Sequence, residues 1–187
     1  MTFYVHPKLV WTKAGILDVP VEVIVNAANK DLKPGGGVCG VIHGAAGPIL
    51  AIRCAEIRKK RRKPIPTGSV AVTAACGKLG VKATCVFHAV GPIYKEYTDF
   101  EAAYYLAMTY KNIIKKFQER NYYNGICIPA ISCGIYGFPI EDACRIAVTV
   151  LSSEMYLNFI DRPVVLTAFD PQVQREFINL NVQEEIY

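Results

Sequence analysis

Six short runs of apolar and β-branched residues recur along the chain: FYVHPKLV (3–10), VEVIVNA (21–27), SVAVTAA (69–75), ATCVFHAV (83–90), GICIPAI (125–131) and PVVLTAF (163–169). Each is nearly continuous rather than alternating, the pattern of strands covered on both faces. Longer segments in helical register separate several of them. From Thr98 to Arg120, the residues Phe100, Ala103, Tyr104, Ala107, Tyr110, Ile114 and Phe117 recur at three- and four-residue steps. Lys111, Lys115, Lys116 and Glu119 fall opposite them, which predicts an amphipathic helix buried along the first set. A second helix is predicted from Ile140, carrying Ala143, Ala147, Val148, Leu151 and Met155, and a third from Gly37 to about Lys60 in one or two pieces. Strands alternating with helices predict a three-layer α/β/α sandwich, with residues 1–187 in a single domain.

Composition narrows the picture without changing it. With 52% hydrophobic and 20% charged residues the chain is of ordinary globular type, and no apolar run approaches the roughly 20 residues of a membrane span. The start, MTFYVHPKLVW, shows no basic segment followed by an apolar one. A soluble, cytoplasmic protein without membrane partners is expected. The seven cysteines are odd in number, irregular in spacing and free of any CxxC pair, which predicts a reducing compartment, no disulfide framework and no metal. The net charge of +5 allows attraction to phosphates without requiring it. Basic residues concentrate in IRKKRRKP (57–64). A solvated helix end, where cations suit the negative end of the dipole, is the favoured account of this run; an RNA contact or a targeting signal is the sharper alternative.

Chemistry gathers at two glycine-rich stretches. IVNAANKDLKPGGGVCGVIHG (24–44) runs from a strand through two asparagines into three consecutive glycines. Gly35, Gly37 and Gly40 satisfy GxGxxG, but the eight residues from Ala27 to Pro34 lie between the apolar stretch and the first glycine, and the cationic segment stands where an acid would bind a ribose. A hydride-transferring oxidoreductase is therefore disfavoured. Backbone N–H groups freed of Cβ interference, at the start of a helix, still suit a diphosphate. PAISCGIYGFP (129–139) likewise leaves a strand and enters a helix, so the two loops predict one anion site beyond the carboxyl ends of the strands.

NAAN with GGGV, HAVGP (88–92), SCGIYG (132–137) and a strand ending in AFD (168–170), in this order, resemble the macrodomain family, whose fold binds ADP-ribose. The resemblance implies a central mixed sheet of six or seven strands and no cofactor. It implies that Gly35, Gly36, Gly37 and Val38, with Ser132, Cys133, Gly134, Ile135 and Tyr136, hold the diphosphate. Asn29 would bind the distal ribose, Asn26 would tie down the loop, and Phe169 would flank the adenine. Ile16, Ala27, Cys39 and Asp170 complete the implied ligand contacts, and His88 is expected to be structural.

Two departures from the family pattern bear on chemistry. An adenine-binding aspartate is replaced by Gly15, and Asp18 lies three residues too late to inherit the role by alignment. The hydrolases that the chain resembles carry GGGVDxxIH, whereas this chain reads GGGVCGVIH: His43 matches, and Cys39 replaces the acid, as in viral macrodomains. A host-cell cytoplasm would follow from a viral origin. A thiol with an ordinary pKa near ~8.5 is a poor general base. The mechanism expected is one of positioning, with Asn29, His43 and Tyr136 as catalytic candidates and a substrate phosphate polarising the water. The leading expectation is a monomeric hydrolase that removes mono-ADP-ribose from glutamate or aspartate side chains of proteins. The alternatives are a non-catalytic module for ADP-ribose or poly(ADP-ribose), and an RNA-binding module using residues 58–63.

Overall fold

In a computed structural model, which describes residues 4–120 and 123–187, the chain forms one seven-stranded sheet between two layers of helices. Five of the six apolar runs contain the strands β2 (Val23–Ala27), β3 (Val70–Ala74), β4 (Cys85–Ala89), β5 (Ile126–Pro129) and β6 (Val164–Thr167). The first run starts its strand late, at β1 (Leu9–Thr12), and Phe3 lies outside the described residues. A two-residue strand, β7 (Gln183–Glu184), closes one edge and matches none of the apolar runs. The order is β3-β4-β2-β5-β6-β1-β7, with only β3 antiparallel to its neighbour. Parallel strands in register, such as Val23–Ala27 against Cys85–Ala89, bring their carboxyl ends to one edge of the sheet.

Alternation along the strands feeds two separate cores. Val23 and Val25 on β2, with Cys85, Phe87 and Ala89 on β4, face α3 (Asp99–Gln118), α4 (Ile140–Leu157) and α5 (Pro171–Asn179). Ile24, Val86, Cys127 and Val165 face α1 (Gly37–Ala46) and α2 (Pro48–Arg61). The predicted third helix is thus two helices, broken at Gly47 and bent by 110°. No single described helix is long and apolar enough to cross a membrane.

Helix α3 starts with a capping box in which Thr98 Oγ1 accepts from Glu101 N and Glu101 accepts from Thr98 N. Its buried face is rotated from the predicted one. Ala102, Leu106, Thr109, Tyr110, Ile113, Ile114 and Phe117 are buried, while Phe100 and Tyr104 are 82% and 55% exposed. The face predicted on α4 is buried throughout from Ala143 to Met155.

Candidate ligand cleft at the carboxyl edge of the sheet

The loops that follow β2, β4, β5 and β6 all leave the same edge. After β2 the chain runs through Asn29 and the glycines into α1, whose first turn carries no acid and whose N-cap, Gly36, offers no side chain. The N–H groups of that turn therefore face outward without a side-chain acceptor. After β5 the chain turns through Ser132, at φ +66°, to Gly137 and on to α4. The two loops meet: a Cβ on Gly36 would lie 3.8 Å from Ile135 Cδ1. Gly40 makes the first loop compact, because a Cβ there would stand 2.8 Å from the carbonyl oxygen of Gly35.

The loop after β4 is the third wall. Tyr94 N donates to Tyr136 O at 2.9 Å, and a side chain on Gly91 would collide with Ser132 Oγ and Ile131. Beside these walls opens a cleft of about 350 Å³ whose lining includes Asn29, Asp31, Lys33, Thr67, Glu96 and Tyr136. The Tyr136 hydroxyl is held above its ordinary pKa by burial and, secondarily, by nearby Cys39 and Glu96, so it stays a neutral hydrogen-bond donor.

Several predicted residues are poised for a ligand. Gly35, Gly36, Gly37 and Gly134 are exposed, and Val38 and Cys133 are half-buried. Phe169 is 94% exposed and Ile135 89% exposed, an unusual state for large apolar groups at the rim of one edge. Ser132 Oγ is buried without a hydrogen-bond partner. Others have different duties. The Ile16 side chain is buried in the core with Val19 and Val21, which leaves its backbone as the group on offer. Asp170 caps α5, its Oδ1 accepting from Gln172 N at 2.7 Å. Ala27 is half-buried at the end of β2.

The roles of the two asparagines differ from those expected. Asn29, not Asn26, ties down the loop: its Oδ1 accepts from Asp31 N and Lys33 N, both at 3.1 Å, and its Nδ2 donates to Lys33 O at 2.8 Å. One Nδ2 hydrogen remains for a sugar hydroxyl. Asn26 sits on a strand position that faces α1, so its carboxamide is buried beside His88, with Nδ2 3.1 Å from His88 Nδ1 and 3.7 Å from Cys39 Sγ. The other ring nitrogen of His88 meets Thr73 Oγ1 at 2.9 Å. Burial first, and His43 second, hold the His88 pKa down to about 3.

Cys39 and His43 share one face of α1 but not one function. Cys39 Sγ lies 3.8 Å from Lys33 O, as a weak donor, and 3.8 Å from where a Gly35 Cβ would be, close behind the glycine loop. His43 is buried, neither of its ring nitrogens has a partner, and burial lowers its pKa. It is not among the residues that line the cleft. Asp18, set aside by its spacing, folds back toward Gly15: a Cβ on Gly15 would come within 2.7 Å of Asp18 Oδ2.

Sequence reasoning missed Asp31, Thr67 and Glu96 as cleft residues. The one available signal was the glycine of HAVGP, which follows a strand and permits the close approach of Ser132. The Macro domain family profile matches residues 25–147. A Salmonella typhimurium protein named O-acetyl-ADP-ribose deacetylase is 37% identical over 169 residues, covering 90% of this chain and 91% of its own. A Xanthomonas axonopodis macro domain-containing protein is similar to the same extent. Among solved structures, an Oceanobacillus iheyensis macrodomain variant with ADPR superposes with a TM-score of 0.79 at 32% identity, covering 91% of each chain. The same macrodomain with ADP gives 0.75 at 33%, covering 88% of this chain and 87% of that one.

Proposed function

The chain belongs to the macro domain family, and from that premise we propose that it binds ADP-ribose along the carboxyl edge and hydrolyses ADP-ribose esters, its substrates being proteins mono-ADP-ribosylated on glutamate or aspartate. The observation that carries this reading is the meeting of the two glycine loops at Gly36 and Ile135, over the unpartnered first turn of α1. A diphosphate set there places its adenine side toward the exposed Phe169 and its distal ribose in the cleft at Asn29. The O. iheyensis relative with ADPR supports that ligand, and the names of the bacterial relatives support ester cleavage. An O-acetyl group and a side-chain carboxylate are linked to ribose by the same kind of bond, an acyl ester.

In the proposed step on the protein substrate, whose acyl oxygen is on the anomeric carbon, a water oxygen bonds to that carbon as its bond to the carboxylate oxygen breaks. The carboxylate leaves, and the water's proton passes to solvent by way of a substrate phosphate oxygen. Asn29 Nδ2 orients the ribose, the loops fix the diphosphate, and Tyr136 screens the water. Correct placement of this kind contributes several kcal/mol to catalysis. The test is incubation of a protein mono-ADP-ribosylated on glutamate, and separately of O-acetyl-ADP-ribose, with wild type and with Asn29→Ala. Release by wild type, slowed about 10-fold or more by the substitution, is expected for the protein substrate. Equal retention of the label with both, while wild type binds ADP-ribose, would contradict hydrolysis.

A second reading, a module that binds without cleaving, is favoured by one arrangement. The Cys39 thiol is directed at the Lys33 carbonyl, and Asn29 makes three hydrogen bonds to its own loop. The same experiment separates the two.

A further inference from the structure

Phe100 and Tyr104, one turn apart on the same face of α3, are exposed, although the spacing of that helix predicts them buried. They continue an aromatic row that starts at the ligand cleft. Tyr97 Oη lies 3.0 Å from Oγ1 of Thr67, a residue of the cleft lining. The Tyr97 ring packs on that of Tyr105 with centroids 4.9 Å apart, and Tyr105 meets Tyr104 edge-on at 5.6 Å. We propose that this row is an acceptor subsite, which takes the peptide chain that carries the ADP-ribose and favours one with an arginine or lysine beside the modified glutamate or aspartate. The inference rests on the function proposed above and names a feature of its substrate.

Three observations carry it. The row is continuous with the cleft: Thr67 and Glu96 share the cleft lining with Asn29, and Thr67 bonds to Tyr97, so a chain attached to the distal ribose meets these rings as it leaves. The row is acidic within a basic protein. Between Tyr94 and Tyr105 stand three carboxylates, Glu96, Asp99 and Glu101, and one cation, Lys95, in a chain whose net charge is +5. Asp99 accepts from Tyr94 Oη and Glu101 from Thr98, whereas Glu96 is exposed and makes no ion pair among the described residues. The rings are also set before a ligand arrives, because Tyr97 and Tyr105 are half-buried against each other and Tyr104 rests on Tyr105. A guanidinium or ammonium group over such rings is attracted by their negative faces, and nearby carboxylates add to the attraction.

Charge also selects between macromolecules. Rings of this kind stack nucleobases as readily as they receive cations, but a nucleic acid needs cations along its backbone as well. Glu96, Asp99 and Glu101 repel a phosphate chain, and Lys95 alone does not offset them. A basic peptide meets attraction from both the rings and the acids.

The experiment titrates the whole chain with ADP-ribose and with two peptides that carry ADP-ribose on glutamate through a non-hydrolysable amide in place of the ester. The peptides are alike except for arginine or serine next to the modified residue. The arginine peptide should bind wild type about 5-fold more tightly than the serine peptide, and that advantage should shrink as salt is raised. In the double variant Phe100→Ala/Tyr104→Ala the two peptides should bind alike, while ADP-ribose binds as before. The comparison in wild type needs no variant and so stands even if the substitutions disturb the fold. Equal affinities of the two peptides for wild type overturn the subsite, as does an arginine advantage that survives the double substitution. Tighter binding of a single-stranded oligonucleotide ADP-ribosylated on its terminal phosphate than of the arginine peptide would assign the row to nucleic acid and overturn it. A wild-type dimer that the double substitution dissociates would assign the row to a second copy, with the same result. A wild type that binds ADP-ribose but does not distinguish the peptides refutes the subsite alone, and one that binds neither refutes the function beneath it. Retention of the label on the ester substrate together with an arginine preference removes hydrolysis and supports the subsite.

Discussion

The two layers that cover the sheet are built from different materials. On the side of α3, α4 and α5 the core is large and hydrocarbon-rich: Trp11, Phe87, Leu106, Tyr110, Ile113 and Phe117 are all buried, and the rings of Phe117 and Tyr123 stack with centroids 6.3 Å apart. On the side of α1 and α2 the core is smaller, and buried polar side chains bond to one another there: Asn26 meets His88 and His88 meets Thr73, with His43 and the thiols of Cys39, Cys54 and Cys76 also buried. The first layer holds the fold; the second has to shape a loop. Asn26 pairs with His88 beneath the glycine loop, Asn29 holds the loop's backbone, and Cys39 packs behind it. The difference predicts that damage to the first layer is read as a loss of stability at any pH, damage to the second as a change in how stability depends on pH, and damage to the rim as a loss of ligand affinity.

The largest expected effect falls on the hydrocarbon side. Phe117→Ala removes a fully buried ring that also receives the Arg162 guanidinium at 4.1 Å, and should destabilise the protein by about 3–5 kcal/mol in denaturant titration. Whatever remains folded should bind ADP-ribose with unchanged affinity. A weakened affinity in the folded fraction would break the division between the layers.

An effect that is small near neutral pH and grows as the pH falls belongs to the polar side. His88 is neutral in the fold, with its pKa held at about 3, and returns to about 6.5 on unfolding. The unfolded chain therefore binds a proton that the native state refuses. Stability is fully present above pH ~6.5 and is lost as the pH falls toward 3, by up to about 1.4 kcal/mol per pH unit from this residue. His88→Gln, which keeps the hydrogen-bonding capacity without the titration, should flatten that part of the stability profile. A profile unchanged by the substitution would show that His88 is not the group refusing the proton.

The smallest effect on stability is expected at the rim. Phe169 is 94% exposed, so Phe169→Ala should change stability by less than about 0.5 kcal/mol. Its affinity for ADP-ribose should nevertheless fall, by about 1 kcal/mol or 5-fold, from lost stacking. Unchanged affinity would remove Phe169 from the site.

Much of this was legible in the amino-acid order, and the failures have physical causes. Continuous β-branched runs marked buried strands, because both faces of a sandwiched sheet must be apolar. Phe100 and Tyr104 misled on α3: aromatic residues are frequent on both sides of that helix, so spacing alone could not choose between the stripe containing Phe100 and the one containing Ala102, Leu106 and Ile113. Strand phase explains why Asn26 does not tie down the loop: it shares a face with Ile24 and points into the α1 layer. Asp31 and Glu96 could not be found at all, since they join the cleft through loops whose paths follow no periodicity. Asp18 reaches the space above Gly15 by a turn in which Asp18 N donates to Gly15 O at 2.8 Å, a detour that alignment by position does not see.

The central claim is that backbone amides of two glycine loops, held close together, bind the diphosphate. Gly40 tests it most directly, because a methyl group there would press on the Gly35 carbonyl at 2.8 Å while touching no side chain of the core. Calorimetric titration with ADP-ribose should give one-to-one binding to wild type and an affinity reduced at least about 10-fold in Gly40→Ala, with the protein still folded by circular dichroism. Binding by a folded Gly40→Ala protein as tight as by wild type would contradict the account.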